Sequence, residues 1–500
     1  MSKQLQKLIE LLPDVTVTGS PDRIIESITY DSRRVTPGAL FICLTGNKVD
    51  GHNYIIDAYD KGAVAVLVEK NFPQTIEGLT VIKVASTRAA MQQIAPYFFD
   101  YPGRKLRIIG ITGTNGKTTT TYLIRQILMQ AGYKVGLIGT IQTIIGEQVL
   151  PVKNTTPDVI DLQSILADMV TQGMDYAVME VSSHALALNR VAGCEFDVGV
   201  FTNITQDHLD FHENFDNYIE AKAKLFRSLG SPDSSKYRKT AVINLDDAAG
   251  EIMLKSTACS VISYGVEHPA ELMAREIKVK ANGASFEIAG SHGRIPLNLK
   301  ITGMFNVYNV LGAIGAAVAE GIDKAIIMPA LESFESVPGR FELVQAGQPY
   351  TVIVDYAHTP DGLENVLKTA KQFARNKVLV VFGCGGDRDR TKRPIMGKTA
   401  VKYADIIIAT SDNPRTENPE DILKDVEVGI KEAMASFGDT KQYEIIVDRR
   451  QAIQYALKLA REQDIILIAG KGHETYQILK DRTIDFDDRE IAREIIGEMR

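Results

Sequence analysis

The sequence is poor in features that indicate a metal cluster, a disulfide framework or a membrane protein. Its four cysteines are far apart and form no CxxC pair: Cys43, Cys194, Cys259 and Cys384. Neither a zinc site nor a disulfide framework is therefore predicted. No apolar run approaches the roughly 18 residues that a transmembrane helix needs, and the charged N-terminal stretch lacks the apolar core of a secretory signal. We expect no membrane span and a cytoplasmic location.

An excess of positive charge is also lacking. The chain has 56 Lys and Arg against 63 Asp and Glu, which gives a net charge of −7, and it contains no basic run. Binding to nucleic acid is therefore not expected. The chain is long, however: its 500 residues exceed one compact core. At about 150 residues per domain, this length predicts about three domains.

Short apolar runs alternate with helical patterns along the chain, which predicts an α/β fold. Turns at 102–104 and 335–342 divide it into three predicted domains, at 1–102, 103–337 and 338–500. The first is a small α/β domain, the second a doubly wound parallel sheet with a phosphate-binding loop, and the third a Rossmann-like α/β domain. The predicted strands include Ala63–Val68, Val198–Thr202 and Val378–Phe382, and the predicted antiparallel ribbon is Lys278–Leu299.

A glycine-rich turn lies between a predicted strand, Leu106–Ile111, and a predicted amphipathic helix, Lys117–Ala131. Glycines let backbone N–H groups curl around an anion, and the helix N-terminus adds partial positive charge. Lys117 would reach the β- and γ-phosphates of a nucleotide, and the Thr118 hydroxyl would contact Mg²⁺. The spacing GxxGxxGKT lacks the first glycine of a strict Walker A motif, where Ile111 stands. The stretch predicts binding of a nucleoside triphosphate rather than a plain turn before a helix.

Polar side chains follow the ends of later predicted strands, where open α/β sheets place their ligands. The stretch MEVSSH supplies Glu180 and Ser182, and TNITQDHLDFH supplies His208. A carboxylate and an imidazole at a phosphate site are suitable Mg²⁺ ligands, whereas a histidine taken singly is more often structural. Lys222 lies in the helical stretch YIEAKAKLF. The pattern alone predicts that it lies on a solvated face, beside an i,i+4 charge pair.

Four polar loops follow strand ends in the third predicted domain: DYAHTP at 355–360, FGCGGDRDRTKRP at 382–394, SDNPRTE at 411–417 and GKGHE at 470–474. Arg388 and Arg415, within these loops, are suited to a two-pronged grip on carboxylates. Charged surface turns are the alternative interpretation. Four such loops on one edge of a domain predict a substrate cleft instead.

Nine motifs occur in one order along the chain: TGTNGKTT, EVSSHAL, FTNITQDHLDFH, EAKAKLF, NLDD, GMFNVYN, VPGRFE, DYAHTP and GCGGDRD. Together they resemble the Mur ligases, the ATP-dependent amide-forming enzymes of peptidoglycan synthesis, over nearly the whole chain. Within that family, DNPR at 412–415 and GKGHE are similar to the members that add meso-2,6-diaminopimelate to UDP-N-acetylmuramoyl-L-alanyl-D-glutamate. The resemblance implies an ADP-forming acid–amino-acid ligase that acts on these small molecules, with ATP as cosubstrate and Mg²⁺ as cofactor. We expect a monomer.

The resemblance also implies a role for each matching residue. The ATP site would comprise Gly113, Thr114, Asn115, Gly116, Lys117, Thr118, Thr119, Asn306, Arg340 and Asp355. The UDP-linked substrate would contact Ser32 in the first domain and Asn154, Thr155, Thr156, Ser182 and Arg190 in the central domain. Diaminopimelate would contact Arg388, Asp412, Asn413, Pro414, Arg415, Gly470 and Glu474. The catalytic residues would be Lys117, Glu180, His208 and Lys222, and Mg²⁺ would be held by Thr118, Glu180, His208 and a carbamylated Lys222.

The implied reaction passes through an acyl phosphate, formed when ATP phosphorylates the D-glutamate side-chain carboxylate. The diaminopimelate amine then displaces phosphate, and closure about the turns near Pro102 and Pro338 would exclude water. Two alternatives within related enzymes are the lysine-adding ligase and a folylpolyglutamate-type synthase. An alternative from another class is a nucleotide-binding switch that ligates nothing. The chain departs from some relatives at Leu188, where they carry Gln two residues before the arginine that matches Arg190.

Overall fold

The computed structural model describes residues 2–46, 49–72, 74–230, 239–280, 283–290, 293–437 and 440–499, apart from the side chain of Asp210. The first unit contains β1 (Lys3–Gln4), α1 (Leu5–Ile9), β2 (Thr16–Thr18), β3 (Ile24–Ile25), β4 (Ser27–Thr29), β5 (Ala39–Ile42), α2 (Ile55–Asp60), β6 (Ala63–Val68), β7 (Thr80–Lys83) and α3 (Thr87–Phe98). Its main sheet has the order β2-β7-β6-β5-β4 and is parallel except for β2. The central strand β6 is an unbroken apolar run, as expected for a strand covered on both faces.

The second unit holds the largest sheet. Its elements are β8 (Arg107–Thr112), α4 (Lys117–Gln130), β9 (Val135–Ile138), β10 (Thr143–Ile145), β11 (Gln148–Leu150), α5 (Val159–Thr171), β12 (Tyr176–Glu180), α6 (Ser183–Ala187), β13 (Val198–Phe201), α7 (Leu209–His212), α8 (Phe215–Leu229), β14 (Thr240–Asn244), α9 (Gly250–Ser256), β15 (Ser260–Gly265), β16 (Leu272–Lys280), β17 (Gly283–Gly290), β18 (Gly293–Leu299), α10 (Met304–Ala319) and α11 (Lys324–Ser333). The strand order is β11-β10-β9-β12-β8-β13-β14-β15-β16-β17-β18.

Strand β8 lies between β12 and β13 and pairs parallel with both. The chain leaves β8 for β9 on one side and later returns to β13 on the other, so the strand order reverses beside β8. Open α/β sheets bind their ligands at such a point, outside the carboxyl ends of the strands. The predicted ribbon is present as β16–β18, which pair antiparallel. Its turns, at 281–282 and 291–292, lie outside the described residues.

The third unit forms a separate sheet of order β19-β20-β24-β21-β22-β23, parallel except for β19. Its elements are β19 (Glu342–Val344), β20 (Thr351–Asp355), α12 (Pro360–Phe373), β21 (Val378–Phe382), α13 (Lys392–Tyr403), β22 (Ile406–Ala409), α14 (Pro419–Met434), β23 (Gln442–Ile445), α15 (Arg449–Leu459), β24 (Ile465–Ala469), β25 (Tyr476–Ile478), β26 (Thr483–Asp485) and α16 (Asp488–Glu498). Helix α13 begins inside the predicted polar loop 382–394. Its first turn is anchored by the fully buried Arg393, which pairs with Glu417 and Asp425.

The predicted three-domain α/β architecture is confirmed. The predicted boundaries after 102 and after 337 fall between strands of different sheets, since β7 ends at Lys83, β8 begins at Arg107 and β19 begins at Glu342. All four cysteines are free thiols. Within the described ranges, no helix is both long and apolar enough to span a bilayer.

Candidate active site

The loop between β8 and α4 requires glycine at two positions. Gly113 has φ +152°, and a Cβ there would lie 1.9 Å from the Thr202 hydroxyl oxygen. Gly116 has φ +85°, and a Cβ there would lie 2.2 Å from Asn309 Oδ1. Any other residue would be strained at both positions and would push the loop away from its neighbours. The absence of side chains at these two positions therefore lets the loop lie close to the end of β13 and to α10.

Lys117 and Thr118 begin α4 and lie at the mouth of this loop. Lys117 Nζ donates to the carbonyl oxygens of Gly113, at 3.1 Å, and of Thr114, at 2.8 Å. Burial lowers the pKa of Lys117, while Glu180 opposes this shift. The Thr118 hydroxyl donates to Glu180 Oε2 at 3.0 Å and accepts a hydrogen bond of 3.0 Å from Arg340 Nη2. One hydroxyl thus joins the phosphate loop to the end of β12 and to the chain segment that enters the third sheet.

Glu180 ends β12 and is almost completely buried, with 1% of its surface exposed. Besides Thr118, its carboxylate accepts from the backbone N–H of Thr140, at 2.8 Å, and from the Thr140 hydroxyl, at 3.0 Å. The sequence analysis missed Thr140. The available signal was its place two residues beyond β9, at the same sheet edge as Glu180. Glu180 and Thr118 offer the hard oxygen donors that Mg²⁺ prefers.

The solvated-face prediction for Lys222 is wrong. Lys222 is 1% exposed, and its Nζ donates to the Gly113 carbonyl oxygen at 2.7 Å and lies 4.6 Å from the centre of the Tyr218 ring. Burial, followed by the nearby charge of Lys117, lowers the pKa of Lys222 well below its usual value. The signal was present in the sequence, because Lys222 falls in the apolar stripe of α8, four residues after Tyr218 and four before Phe226.

His208 precedes α7 with φ +54°, and 45% of its side chain is exposed. It lies 3.4 Å from the Asp207 carboxylate, and its ring packs edge-on against His184 with the ring centres 4.8 Å apart. Burial would raise the pKa of Asp207, but His208 and other positive groups lower it below its usual value. In the described part of the chain, no three His, Cys, Asp or Glu side chains form a ready-made cation site.

Asn306 and Asp355 lie in buried hydrogen-bonded positions near the loop. Asn306 Nδ2 donates to the Thr302 carbonyl oxygen at 2.8 Å, and its Oδ1 accepts from Asn309 Nδ2 at 3.0 Å. The Asp355 carboxylate accepts from the backbone N–H groups of Phe341, at 2.7 Å, and Ala357, at 2.8 Å. Burial raises the pKa of Asp355. In this arrangement both residues fix the backbone that borders the site.

Asp361 is a further residue that the sequence analysis missed. It lies in the first turn of α12, in the third unit, and its Oδ2 accepts from Asn115 Nδ2 at 2.5 Å. The same oxygen accepts from the Thr205 hydroxyl at 3.2 Å. A carboxylate of the third unit therefore rests directly on the phosphate loop. No local signal marked it, because its partner lies 246 residues away.

Three of the residues predicted to bind the UDP-linked substrate, Thr155, Thr156 and Ser182, lie together near Glu180. The Thr156 hydroxyl donates to the Glu180 carbonyl oxygen at 2.9 Å and accepts from the backbone N–H of Ser182 at 3.0 Å. The Thr155 and Thr140 hydroxyls are 3.0 Å apart. The other three predicted residues are Asn154, which is exposed, Arg190, which lies 3.7 Å from Asp158, and Ser32, which lies in the first unit.

The first unit contacts the central unit through polar and charged groups near Ser32. The Tyr30 hydroxyl donates to Asp161 Oδ2 at 2.6 Å, and Arg34 Nη1 donates to Asp161 Oδ1 at 2.7 Å. Both donors flank Ser32 in the sequence, and Asp161 lies in α5. The turn that carries Ser32 is therefore fixed against the central unit.

A second polar cluster lies at the edge of the third sheet. Asn413 Nδ2 donates to Glu474 Oε2 at 2.8 Å, which joins two loops 61 residues apart. Arg415 has φ +53°, and its Nη1 donates to the Gly386 carbonyl oxygen at 2.8 Å. Arg388 is exposed and donates to the Asp387 carbonyl oxygen at 3.0 Å. The other predicted members of this set complete the same loops: Asp412 and Pro414 are buried, and Gly470 has φ +117°.

Three family patterns match consecutive parts of the chain. They are described as Mur ligase family, catalytic domain, at 24–99; Mur ligase middle domain, at 111–317; and Mur ligase, glutamate ligase domain, at 339–472. A protein of Geobacillus thermodenitrificans (strain NG80-2), named UDP-N-acetylmuramoyl-L-alanyl-D-glutamate--2,6-diaminopimelate ligase, is 48% identical over 499 residues, 99% of this chain and 100% of the relative. The chain belongs to the Mur ligase family.

Further Mur ligases extend this similarity. A Bacillus cereus protein of the same name is 48% identical over 493 residues, which cover 99% of this chain and 98% of the relative. A solved structure titled as a UDP-N-acetylmuramoyl-L-alanyl-D-glutamate--2,6-diaminopimelate ligase has a TM-score of 0.68 and 34% identity, covering 100% of this chain and 99% of that one. The family predicted from the nine motifs is thereby confirmed, and the similarity includes all three sheets.

Proposed function

We propose that this chain joins meso-2,6-diaminopimelate to the D-glutamate side-chain carboxylate of UDP-N-acetylmuramoyl-L-alanyl-D-glutamate, with conversion of ATP to ADP and phosphate. Full-length relatives at 48% identity carry this activity in their names. The structural observation that carries the proposal is the Thr118 hydroxyl, which contacts both Glu180 and Arg340. Groups from the phosphate loop, the central sheet edge and the third unit meet there. A ligase needs this convergence, because its three substrates must react with one another.

The chemistry follows from these groups. A carboxylate oxygen of the D-glutamate side chain attacks the γ-phosphorus of ATP, ADP leaves, and an acyl phosphate forms. The diaminopimelate amine then attacks the acyl carbon, loses a proton and expels phosphate. Lys117, Arg340 and the loop N–H groups offset the charge on the phosphoryl oxygens, because such transfer depends mainly on positioning and electrostatics.

We assign the Mg²⁺ ligands to Thr118, Glu180, His208 and a carbamylated Lys222. The oxygen donors of Thr118 and Glu180 fit the ion, whereas an ammonium at Lys222 would repel it. Burial favours the neutral amine of Lys222, which is the form that combines with carbon dioxide to give an anionic carbamate. When bound, Mg²⁺ supplies positive charge that stabilises the phosphoryl oxygens.

The remaining assignments are proposals of the same kind. ATP contacts the loop residues 113–119 together with Asn306, Arg340 and Asp355, and the UDP-linked substrate contacts Ser32, Asn154, Thr155, Thr156, Ser182 and Arg190. Diaminopimelate contacts the second cluster through Arg388, Asp412, Asn413, Pro414, Arg415, Gly470 and Glu474. We place the functional domains at 1–102, 103–337 and 338–500. The set for the UDP-linked substrate draws on the first two domains, and the ATP set draws on the last two. Each set comes from this one chain, so we propose a monomer, and its use of ATP and a UDP-linked precursor suits the cytoplasm.

The test measures phosphate release from ATP with the UDP-linked dipeptide and diaminopimelate present together or singly. We expect release only with both, accompanied by a product heavier by one diaminopimelate less water. Exclusive use of lysine would reassign the chain to the lysine-adding ligases, and use of folate with glutamate would reassign it to the folylpolyglutamate-type synthases. Hydrolysis at the same rate without either substrate would contradict a ligase and favour a nucleotide switch.

A further inference from the structure

The second cluster contains a fully buried lysine that the sequence analysis did not single out. The Lys471 side chain has 0% exposure. Its Nζ lies 3.2 Å from Asn413 Oδ1, 3.2 Å from Glu474 Oε2 and 3.7 Å from Asp412 Oδ1. A buried ammonium is costly unless it is paired, so these contacts define its position. Lys471 has no path to solvent and acts through its neighbours.

The first consequence concerns the orientation of the Asn413 amide. Its Oδ1 accepts from Lys471 Nζ and from the backbone N–H of Ile478, at 2.9 Å. Both of these groups are donors only, so the amide oxygen must face them and the amide nitrogen must face Glu474. Lys471 therefore removes the alternative flipped orientation of Asn413.

The second consequence concerns Glu474. Its Oε2 accepts from both Lys471 Nζ and Asn413 Nδ2, whereas its Oε1 has no hydrogen-bond donor among the residues that the structure describes. Burial raises the pKa of Glu474, and the charge of Lys471 opposes that shift. Lys471 thus favours an ionised carboxylate that is held by one oxygen and keeps the other for a ligand.

The charges of the cluster match one kind of ligand. The cluster offers charges of both signs: the carboxylates of Asp412 and Glu474, and the cations of Lys471, Arg388 and Arg415. The neighbouring buried pair of Arg449 and Asp488, 2.7 Å apart, is neutral by itself. The distal end of diaminopimelate carries one ammonium and one carboxylate, whereas the side chain of lysine carries an ammonium alone. A cluster that offers both a carboxylate and arginine side chains complements the former.

We propose that Lys471 is a positioning residue for amino-acid selection: it holds Asn413 and Glu474 so that one Glu474 oxygen receives the distal ammonium of diaminopimelate. This inference rests on the proposed function, since it concerns the same substrate. It assigns to Lys471 a role in substrate affinity that is exerted through Glu474, without contact to the substrate.

The test is a double-mutant cycle on the full-length enzyme with Lys471→Met, Glu474→Gln and the double variant. We expect Lys471→Met to raise KM for diaminopimelate about 30-fold, with kcat and the KM values for ATP and the UDP-linked dipeptide within about threefold. In the Glu474→Gln background the same change is expected to alter KM for diaminopimelate by less than about threefold, because its target is already absent. The exposed Lys480, in the turn between β25 and β26, provides the control, Lys480→Met, which should match wild type.

Equal effects of Lys471→Met in both backgrounds, or a general loss of kcat without a change in KM for diaminopimelate, would overturn the inference. If Lys471→Met does not fold, comparison of the double variant with Glu474→Gln still decides, because the double variant leaves no unpaired negative charge at Glu474. A difference of more than about tenfold between them would contradict action through Glu474. A wild type that does not use diaminopimelate would contradict the proposed function instead.

Discussion

Two buried or partly buried lysines contact the phosphate loop, and one buried lysine lies in the second cluster. The lysines of the two regions have different partners. Lys117 and Lys222 donate their hydrogen bonds to backbone carbonyl oxygens, and both contact Gly113. Lys471 instead contacts the side chains of Asn413, Glu474 and Asp412. The charge of Lys117 can serve an arriving phosphate, and the buried Lys222, whose pKa is lowered well below its usual value, can form the proposed carbamate. Lys471 has its charge balanced by carboxylates and serves to orient them. The first arrangement suits catalysis and the second suits selection.

The largest effect should come from the loop itself. Lys117→Ala is expected to lower kcat by about a thousandfold with every amino acid tested, because its charge serves the transferring phosphoryl group. Steady-state ligation assays measure this, and the thermal unfolding midpoint should stay close to wild type. The exposed Lys134 offers a matched control, Lys134→Ala. Near-normal ligation by Lys117→Ala would refute the assignment of the phosphate loop.

Lys222→Ala should follow, with a loss of about a hundredfold, because it removes a proposed anionic Mg²⁺ ligand. Added acetate should restore part of the activity, since it supplies a small carboxylate to the space left by the side chain. The control is Lys224→Ala, two residues away on the exposed face of α8. Full activity of Lys222→Ala without acetate would mean that an anionic ligand at this position is dispensable.

Substitutions in the second cluster should change the choice of amino acid and not only the rate of ligation. In the wild type, lysine would leave the partly buried Arg415 without the substrate carboxylate, at a cost of about 2 kcal/mol, the low end for truncated charge pairs. Arg415→Ala should therefore lower the preference for diaminopimelate over lysine by about 30-fold or more, measured as the ratio of kcat/KM values. The exposed Arg482 provides the control, Arg482→Ala. An unchanged ratio in Arg415→Ala would separate Arg415 from amino-acid choice.

The smallest effect is expected at Thr140, which lies beside Glu180 and Thr155. Thr140→Val removes the hydroxyl that lies 3.0 Å from both Glu180 and Thr155, but keeps the backbone hydrogen bond to Glu180. The loss of a hydrogen bond of about 1 kcal/mol should lower kcat/KM for the UDP-linked dipeptide about fivefold. The exposed Thr171 supplies the control, Thr171→Val. A loss as large as that of Lys117→Ala would show that Thr140 does more than position its neighbours.

Features formed by residues that are close in sequence were predicted better than contacts between residues that are far apart in sequence. The phosphate loop was predicted because its strand, glycines, lysine and helix are contiguous, and the observed bounds of β8 and α4 differ from the prediction by a single residue. The pattern alone misplaced Lys222, because a charged residue in an apolar stripe was interpreted by its charge rather than by its position on the helix. The family resemblance assigned it to the metal site instead. Asp361 and the Lys471–Asn413 contact escaped notice because each joins residues that are distant in sequence, by 246 and 58 positions.

The hydrogen bond between Asp361 and Asn115 has a thermodynamic consequence. The phosphate loop is stabilised when the third unit lies against it, because the loop loses its hydrogen bond to Asp361 whenever that unit moves away. Linkage is reciprocal: any ligand that favours this placement of the third unit changes nucleotide affinity by the same factor by which nucleotide changes the affinity for that ligand. Under the proposed assignments, an amino acid that favours this placement by binding at the second cluster is energetically coupled to the nucleotide without touching it.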